Sequence, residues 1–284
     1  IVFDDGASTL ELALNPDGQV HLDESATTSL PATLGVANIG DDPDVAGTGA
    51  IASSSSAASV AIATPVFGAD GPAIGAQPAF ALDVTLANSG LQVTDGSAIT
   101  LAKEGDLVVG RVASGTFSGQ AAFAIAINAA TSQLTVEQYL SLKHPDTADP
   151  NDTVFLATGM LAVKVTVSDG DGDFVTQSAD ISSQISFDDD GLVTANDTDT
   201  LAHDTTIATG NVLTGIDIAG GDANALDGVA DHAGADGGLV LTAISGFAEM
   251  SYFALIGNVG LAGGLNEEQA LHLMSFMTLG GVAL

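Results

Sequence analysis

Residues 161–173 read Leu161-Ala-Val163-Lys-Val165-Thr-Val167-Ser-Asp169-Gly170-Asp171-Gly172-Asp173. The first eight positions alternate apolar and small or polar residues, the signature of a half-buried strand whose successive side chains leave on opposite faces. The last five place carboxylates at i, i+2 and i+4 with glycine between them, which is a bend and not a helix start. A strand that empties into an acidic bend predicts an all-β chain. The same period of two recurs at Leu10, Leu12 and Leu14, at Phe80, Leu82, Val84 and Leu86, and at Phe123, Ile125 and Ile127. Turn residues such as Asn15-Pro-Asp17-Gly18 and Asn88-Ser-Gly90 separate these runs, which favours an antiparallel β-sandwich over βαβ units. The Ser/Ala-rich stretch 50–64 suits a long loop or an edge strand. One short helix is expected where Thr135 and Gln138 form a capping pattern ahead of Tyr139, Leu140 and Leu142, with Pro145 as its stop.

Composition narrows the chemistry. The 284 residues carry 36 Asp+Glu against 4 Lys+Arg, a net charge of −32, which excludes a nucleic-acid binder because phosphate contacts need clustered cations. With 46% hydrophobic residues the chain can bury a core despite that charge. It has no Cys, so neither disulfides nor thiolate sites are available, and a metal must take oxygen or histidine ligands. Of the acids, 29 are Asp and 7 are Glu. Asp favours turns and metal-binding loops over helices.

Carboxylates spaced as in Asp169, Asp171 and Asp173 can curl round one hard cation. Ca²⁺ takes six to eight oxygens at flexible angles, and glycine lets backbone carbonyls join in. Asp180 falls at the twelfth position of an EF-hand count, but Phe174 replaces the glycine such a loop needs and strands flank it, so a β-loop calcium site is the better reading. Further candidate ligands are Asp4, Asp5, Asp23, Glu24, Asp188, Asp189 and Asp190, acids of a module's entry and exit that would meet where modules abut. Asp197, Asp199, Asp222, Asn224, Asp227, Asp231 and Asp236 form two more acidic clusters, at spacings that suit either calcium or a polar linker.

Ile1-Val-Phe3-Asp4-Asp5-Gly6 is answered by Ile185-Ser-Phe187-Asp188-Asp189-Asp190-Gly191, an internal repeat with one extra Asp. The expected organisation is a complete module over 1–184, an Asp/Gly-rich junction and start of a second module over 185–238, and an apolar segment over 239–284. With no initiator Met, the chain reads as a piece of something longer. In the last segment Asn266 is expected to cap a small helix carrying Leu271, Met274 and Met277 on one face. That segment suits the core of an incomplete module or an assembly surface better than a membrane span, because Met250 to Leu265 is short and glycine-broken.

Enzyme motifs are missing. The sequence holds no G-x-S-x-G, H-E-x-x-H or Walker A pattern, and Gly47-Thr-Gly49 follows acids where a dinucleotide fingerprint needs a strand. A carbohydrate-binding module is disfavoured by the lack of Trp and by only two Tyr.

The run Leu134-Thr-Val-Glu-Gln-Tyr-Leu-Ser-Leu-Lys-His144-Pro145-Asp146, with Asp149-Pro-Asn-Asp152, Val165 to Asp173 and Ile185-Ser-Phe-Asp188-Asp189, resembles the long β-sandwich repeat of giant RTX adhesins exported by type I secretion. The stretch from Ala208 through Asn211 and Asp227 to Asp236 resembles the linkers of those proteins. The resemblance implies a secreted, calcium-dependent repeat in an adhesive arm on a Gram-negative cell, with neighbouring modules or copies of itself as head-to-tail partners and a role in biofilms. The glycine-rich nonapeptides of the RTX β-roll are absent. A self-assembling matrix filament joined through 239–284 is the alternative.

Overall fold

The structure, a computed structural model, describes residues 7–24, 28–146, 149 and 151–190. The described residues group into one compact unit. Among them, fourteen strands make up most of the regular structure. In chain order they are β1 (Thr9–Leu14), β2 (Val20–Asp23), β3 (Ala52–Ser55), β4 (Ala61–Val66), β5 (Ala79–Val84), β6 (Asn88–Gln92) and β7 (Ala98–Glu104). There follow β8 (Leu107–Val112), β9 (Ala121–Ile127), β10 (Leu134–Gln138), β11 (Thr153–Phe155), β12 (Leu161–Ser168), β13 (Phe174–Asp180) and β14 (Ile185–Asp188). Helical geometry among the described residues is confined to two 3-10 turns, Pro16–Gly18 and Ser182–Gln184.

The strands form four sheets: β1-β4, β3-β10-β9-β8-β7-β6, β11-β14-β2 and β13-β12-β5. Pairings are antiparallel except β14 with β2, which run parallel from Ile185↔Val20 to Asp188↔Asp23. The described residues are thus all-β and mainly antiparallel. The alternating runs form β1, β5, β9 and β12, and their inward residues Leu82, Phe123, Ile125, Leu161, Val163 and Val165 meet in one core with Leu22 and Phe187. Burying one such Leu or Phe contributes roughly 1.5–3 kcal/mol. Strand β9 is covered on its other face too. Ala121 and Ala124 pack there under Leu34, Val36 and Ile39, their small side chains leaving room for the 34–39 segment.

Three expectations change. The helix predicted from Thr135 is instead strand β10, hydrogen-bonded between β3 and β9, with Leu134 and Val136 fully buried. A helix cap is worth about 1 kcal/mol, less than two buried apolar side chains and two ladders of backbone bonds. Asn88-Ser-Gly90, read as a turn, lies within the irregular edge strand β6, where the buried Ser89 hydroxyl donates to the Ile99 carbonyl at 2.6 Å. Strand β14, assigned to the start of the next module, packs in this core, with Ile185 and Phe187 both fully buried. The Ser/Ala-rich stretch supplies β3, an edge strand, and β4. The predicted helix at Asn266 and the junction beyond Asp190 lie outside the described residues. No helix among the described residues is long and apolar enough to cross a membrane.

Candidate metal site

The acidic bend is the connection between β12 and β13, whose pairing ends at Ser168↔Phe174. The Asp169 N–H donates to the Asp173 carbonyl at 2.9 Å, and the Gly172 N–H to the Asp169 carbonyl at 3.3 Å. Gly172 has φ +104°, a conformation that L side chains resist, and it turns the chain back on itself. Gly170 answers a different need: a Cβ there would lie 2.5 Å from the Asp70 carbonyl oxygen, so the 68–72 segment can rest directly on the bend. Gly170 N–H donates to the Gly71 carbonyl at 2.9 Å, Ala73 N–H to the Ser168 carbonyl at 3.2 Å, and Pro72 bridges Asp169. From the start of the chain, the Ser8 hydroxyl donates to Asp169 Oδ2 at 3.0 Å. Three distant stretches therefore meet at one bend.

This folding brings carboxylate oxygens of Asp169, Asp171 and Asp173 within 4.8 Å of one another. Asp171 and Asp173 are exposed, but Asp169 is only 6% exposed. Its Oδ2 takes the Ser8 hydroxyl, while Oδ1 is buried with no hydrogen-bond partner among the described residues. A buried carboxylate oxygen without a donor is costly unless something positive reaches it.

Desolvation pushes the Asp169 carboxyl up, but the neighbouring Asp171 carboxyl, the Ser8 hydroxyl on Oδ2 and the nearby backbone N–H groups of Asp173 and Gly172 outweigh that and hold it below the usual range. Asp171 moves the opposite way, raised first by the adjoining Asp169 carboxyl, with the charges of Asp169 and Asp173 adding to the effect. Two carboxyl groups this close can share a proton or a cation. Three hard oxygen donors, one of them buried and unmet, fit a metal ion at this bend, with backbone carbonyls and water available to complete its shell.

The other predicted ligands are distributed differently. Asp23 ends β2 and is exposed. Asp188 Oδ1 accepts from the Thr153 hydroxyl at 2.6 Å, and Oδ2 meets the His21 ring. Asp189 is 8% exposed, with its N–H donating to the Asp152 carbonyl, and its side chain accepts from the Asp190 N–H. Glu24 is fully enclosed and faces inward. Among the described residues, Asp23, Glu24 and Asp188 to Asp190 form no three-ligand group. Their backbones do meet: the Glu24 N–H donates to the Asp188 carbonyl at 3.4 Å. Asp4, Asp5, Asp197, Asp199, Asp222, Asn224, Asp227, Asp231 and Asp236 lie outside the described residues.

Three buried carboxylates organise the loops around these strands, and of these only Glu24 was among the candidate ligands named from the sequence. Glu137, in β10, accepts from Thr33 N–H at 2.8 Å, Thr33 hydroxyl at 2.5 Å, Leu34 N–H at 3.3 Å and Tyr139 hydroxyl at 2.9 Å. Burial first, and then the Glu137 carboxylate, keeps the Tyr139 phenol protonated far above its usual range. Asp42 Oδ2 accepts from Ser141 N–H and hydroxyl, and Oδ1 from Asp44 N–H. Glu24 Oε1 accepts from Leu142 N–H at 3.0 Å and from the Gln138 amide, with His144 Nε2 3.9 Å away.

Residues 19–182 match the family model described as Domain of unknown function (DUF5801). No curated protein and no solved structure matches the chain.

Proposed function

The chain belongs to the DUF5801 domain family, and from that premise we propose that it is a calcium-stabilised, non-enzymatic β-sandwich repeat of an extended extracellular arm or fibre. The observation that carries this reading is the buried, unpartnered Oδ1 of Asp169, set among the oxygens of Asp171 and Asp173. Calcium is the favoured occupant because the donors are all hard oxygens and two of the three carboxylates stand open to water. The site ties together residue 8, the 68–72 segment and the β12–β13 connection, so an ion there fastens the entry of the chain to the far end of the fold. The calcium concentration then governs rigidity. Where calcium is scarce the three carboxylates repel one another; where it is plentiful, binding to the folded state stabilises it by mass action. Extracellular modules hold calcium with Kd values of about 10⁻⁴–10⁻³ M, which suits a site that fills after export. The acidic, cation-poor surface keeps such an arm apart from nucleic acid.

The test is a thermal melt of the full chain. At calcium about a hundred-fold above Kd, Tm should rise by roughly 5–10 °C, and excess chelator should reverse the gain. Asp171→Asn, at an exposed position that packs no core, should fold as before and lose most of the calcium-dependent rise. Equal melts in calcium and chelator would refute calcium stabilisation. A rise that survives intact in Asp171→Asn would move the ion elsewhere.

The close contact at Gly170 provides a second check. Gly170→Val forces side-chain atoms against the Asp70 carbonyl, and should weaken calcium binding at least ten-fold by titration calorimetry. Gly172→Ala, strained by its φ but facing open space, should cost stability with a smaller loss of affinity. Unchanged affinity in Gly170→Val would mean that the 68–72 segment does not shape the site.

A further inference from the structure

Among the described residues, β1 and β4 form a two-stranded ribbon that shares no backbone ladder with the other three sheets. Strand β1 lies against β13, and Leu10, Leu12 and Ala63 pack onto the common core. The two ends of the ribbon are held differently. At the Leu14↔Ala61 end, Asn15 N–H donates to the Val60 carbonyl at 2.9 Å, and the Ala61 carbonyl accepts from the buried Ser132 hydroxyl at 2.8 Å. The Gln184 amide donates to the Asn15 carbonyl at 2.7 Å, and Val60 and Ala61 are both buried. At the Thr9↔Val66 end, Val66 is 62% exposed, and from there both chains run to the acidic bend. Ser8, one residue before β1, donates to Asp169, and the 68–73 stretch after β4 exchanges backbone bonds with Ser168 and Gly170. That stretch carries the exposed Asp70, whose Cβ lies 3.4 Å from where a side chain on Gly170 would begin. A fourth acidic residue therefore stands beside the three of the bend.

We propose that the ion at the acidic bend is a clasp for this ribbon. With the ion bound, β1 and β4 are held down at their Thr9–Val66 end; without it the ribbon opens there, about its anchored Leu14–Ala61 end, while the other sheets stay folded. The cause is electrostatic. Acids on converging segments repel when no cation lies among them, and here the repulsion acts at the less buried end of the ribbon. A divalent cation reverses the sign, because Asp70 on the ribbon's side and the three carboxylates of the bend are then drawn to one centre. Opening bares Leu10, Leu12 and the side of β13 that β1 covers, and an uncovered strand edge with apolar neighbours is a template for pairing with other chains. The clasp thus guards an adhesive surface of the fold itself. The inference rests on the metal reading above and adds which part of the fold the ion controls.

The experiment is amide hydrogen exchange of the full chain, resolved by segment, in calcium and in chelator. Chelator should speed exchange in β1 and β4 roughly ten-fold or more and leave β9 and β12 within about two-fold, as local opening does and global unfolding does not. Faster exchange spread evenly over all four strands would overturn the clasp and leave calcium stabilisation standing. Exchange that ignores calcium everywhere would remove the metal reading and the clasp with it. Asp70→Asn supplies the sign. At an exposed position it should fold as the parent does, slow the exchange of β1 and β4 in chelator because one repelling charge is gone, and shrink the further slowing that calcium brings. Ser8→Ala, which removes a bond and no charge, should instead speed exchange of β1 in both conditions. If Asp70→Asn matches the parent in chelator, charge at the bend does not drive the opening and the proposal fails.

Discussion

Glu137→Ala should remove about 3–5 kcal/mol of unfolding free energy. The carboxylate is fully buried and serves four donors, two of them backbone N–H groups of Thr33 and Leu34 that pin the 33–34 segment over β9. A buried donor left without an acceptor costs about 1–3 kcal/mol; the Tyr139 hydroxyl is such a donor, whereas Thr33 is exposed and Leu34 half-buried, so water recovers part of the bonds they lose. Glu137→Gln keeps one acceptor but turns an amide N–H₂ towards donors, and should lose less than the alanine variant and more than a surface substitution. Urea denaturation at constant m-value reads both. A loss under about 1 kcal/mol in Glu137→Ala would show that the 33–34 segment is held by its apolar contacts alone.

The second large effect is a pH dependence centred on Glu24. Burial is the dominant cause that raises its carboxyl to about 7 from the ordinary 4.5, against the opposing bonds of His144, Leu142 N–H and Gln138. A carboxyl raised in the folded state binds its proton more tightly there than in the unfolded chain. Its contribution to stability is therefore complete below pH 4.5, declines as pH rises, and is gone above about 7. A shift of that size corresponds to about 3 kcal/mol over the window. In chelator, which removes the opposite dependence expected of a metal site, the chain should be most stable near pH 5 and lose roughly 6–12 °C of Tm by pH 8. Glu24→Gln should flatten that slope and melt above the parent at pH 8. Asp180, whose carboxyl is pushed up by desolvation but held below the usual range by the combined bonds of the Ser182 hydroxyl, Ser182 N–H and Gly159 N–H, acts lower on the scale and with the opposite sign. A parent profile that is flat between pH 5 and 8 would mean that Glu24 stays ionised in the fold.

Period-two alternation was enough to find β1, β5, β9 and β12, because a strand with one face in the core writes that face into every second residue. It was also enough to mark Asp169, Asp171 and Asp173, since ligands from one short bend need no help from elsewhere to converge. Thr135 and Gln138 show where such reasoning fails. A local cap pattern competes with two neighbouring strands that need a partner between them, and those neighbours are distant in sequence.

The same distinction divides the whole molecule. Composition and periodicity by themselves determined an all-β, acidic chain with an aspartate bend suited to a hard cation, since these properties belong to single segments. The tertiary structure alone decided that Ser8 and the 68–72 segment enclose that bend, that Glu24 and Glu137 turn inward while Asp23 turns out, and that Ile185–Asp188 closes the fold it follows. Each of these depends on contacts between residues far apart in the chain, and the free energy of such a contact is written in neither partner's local sequence.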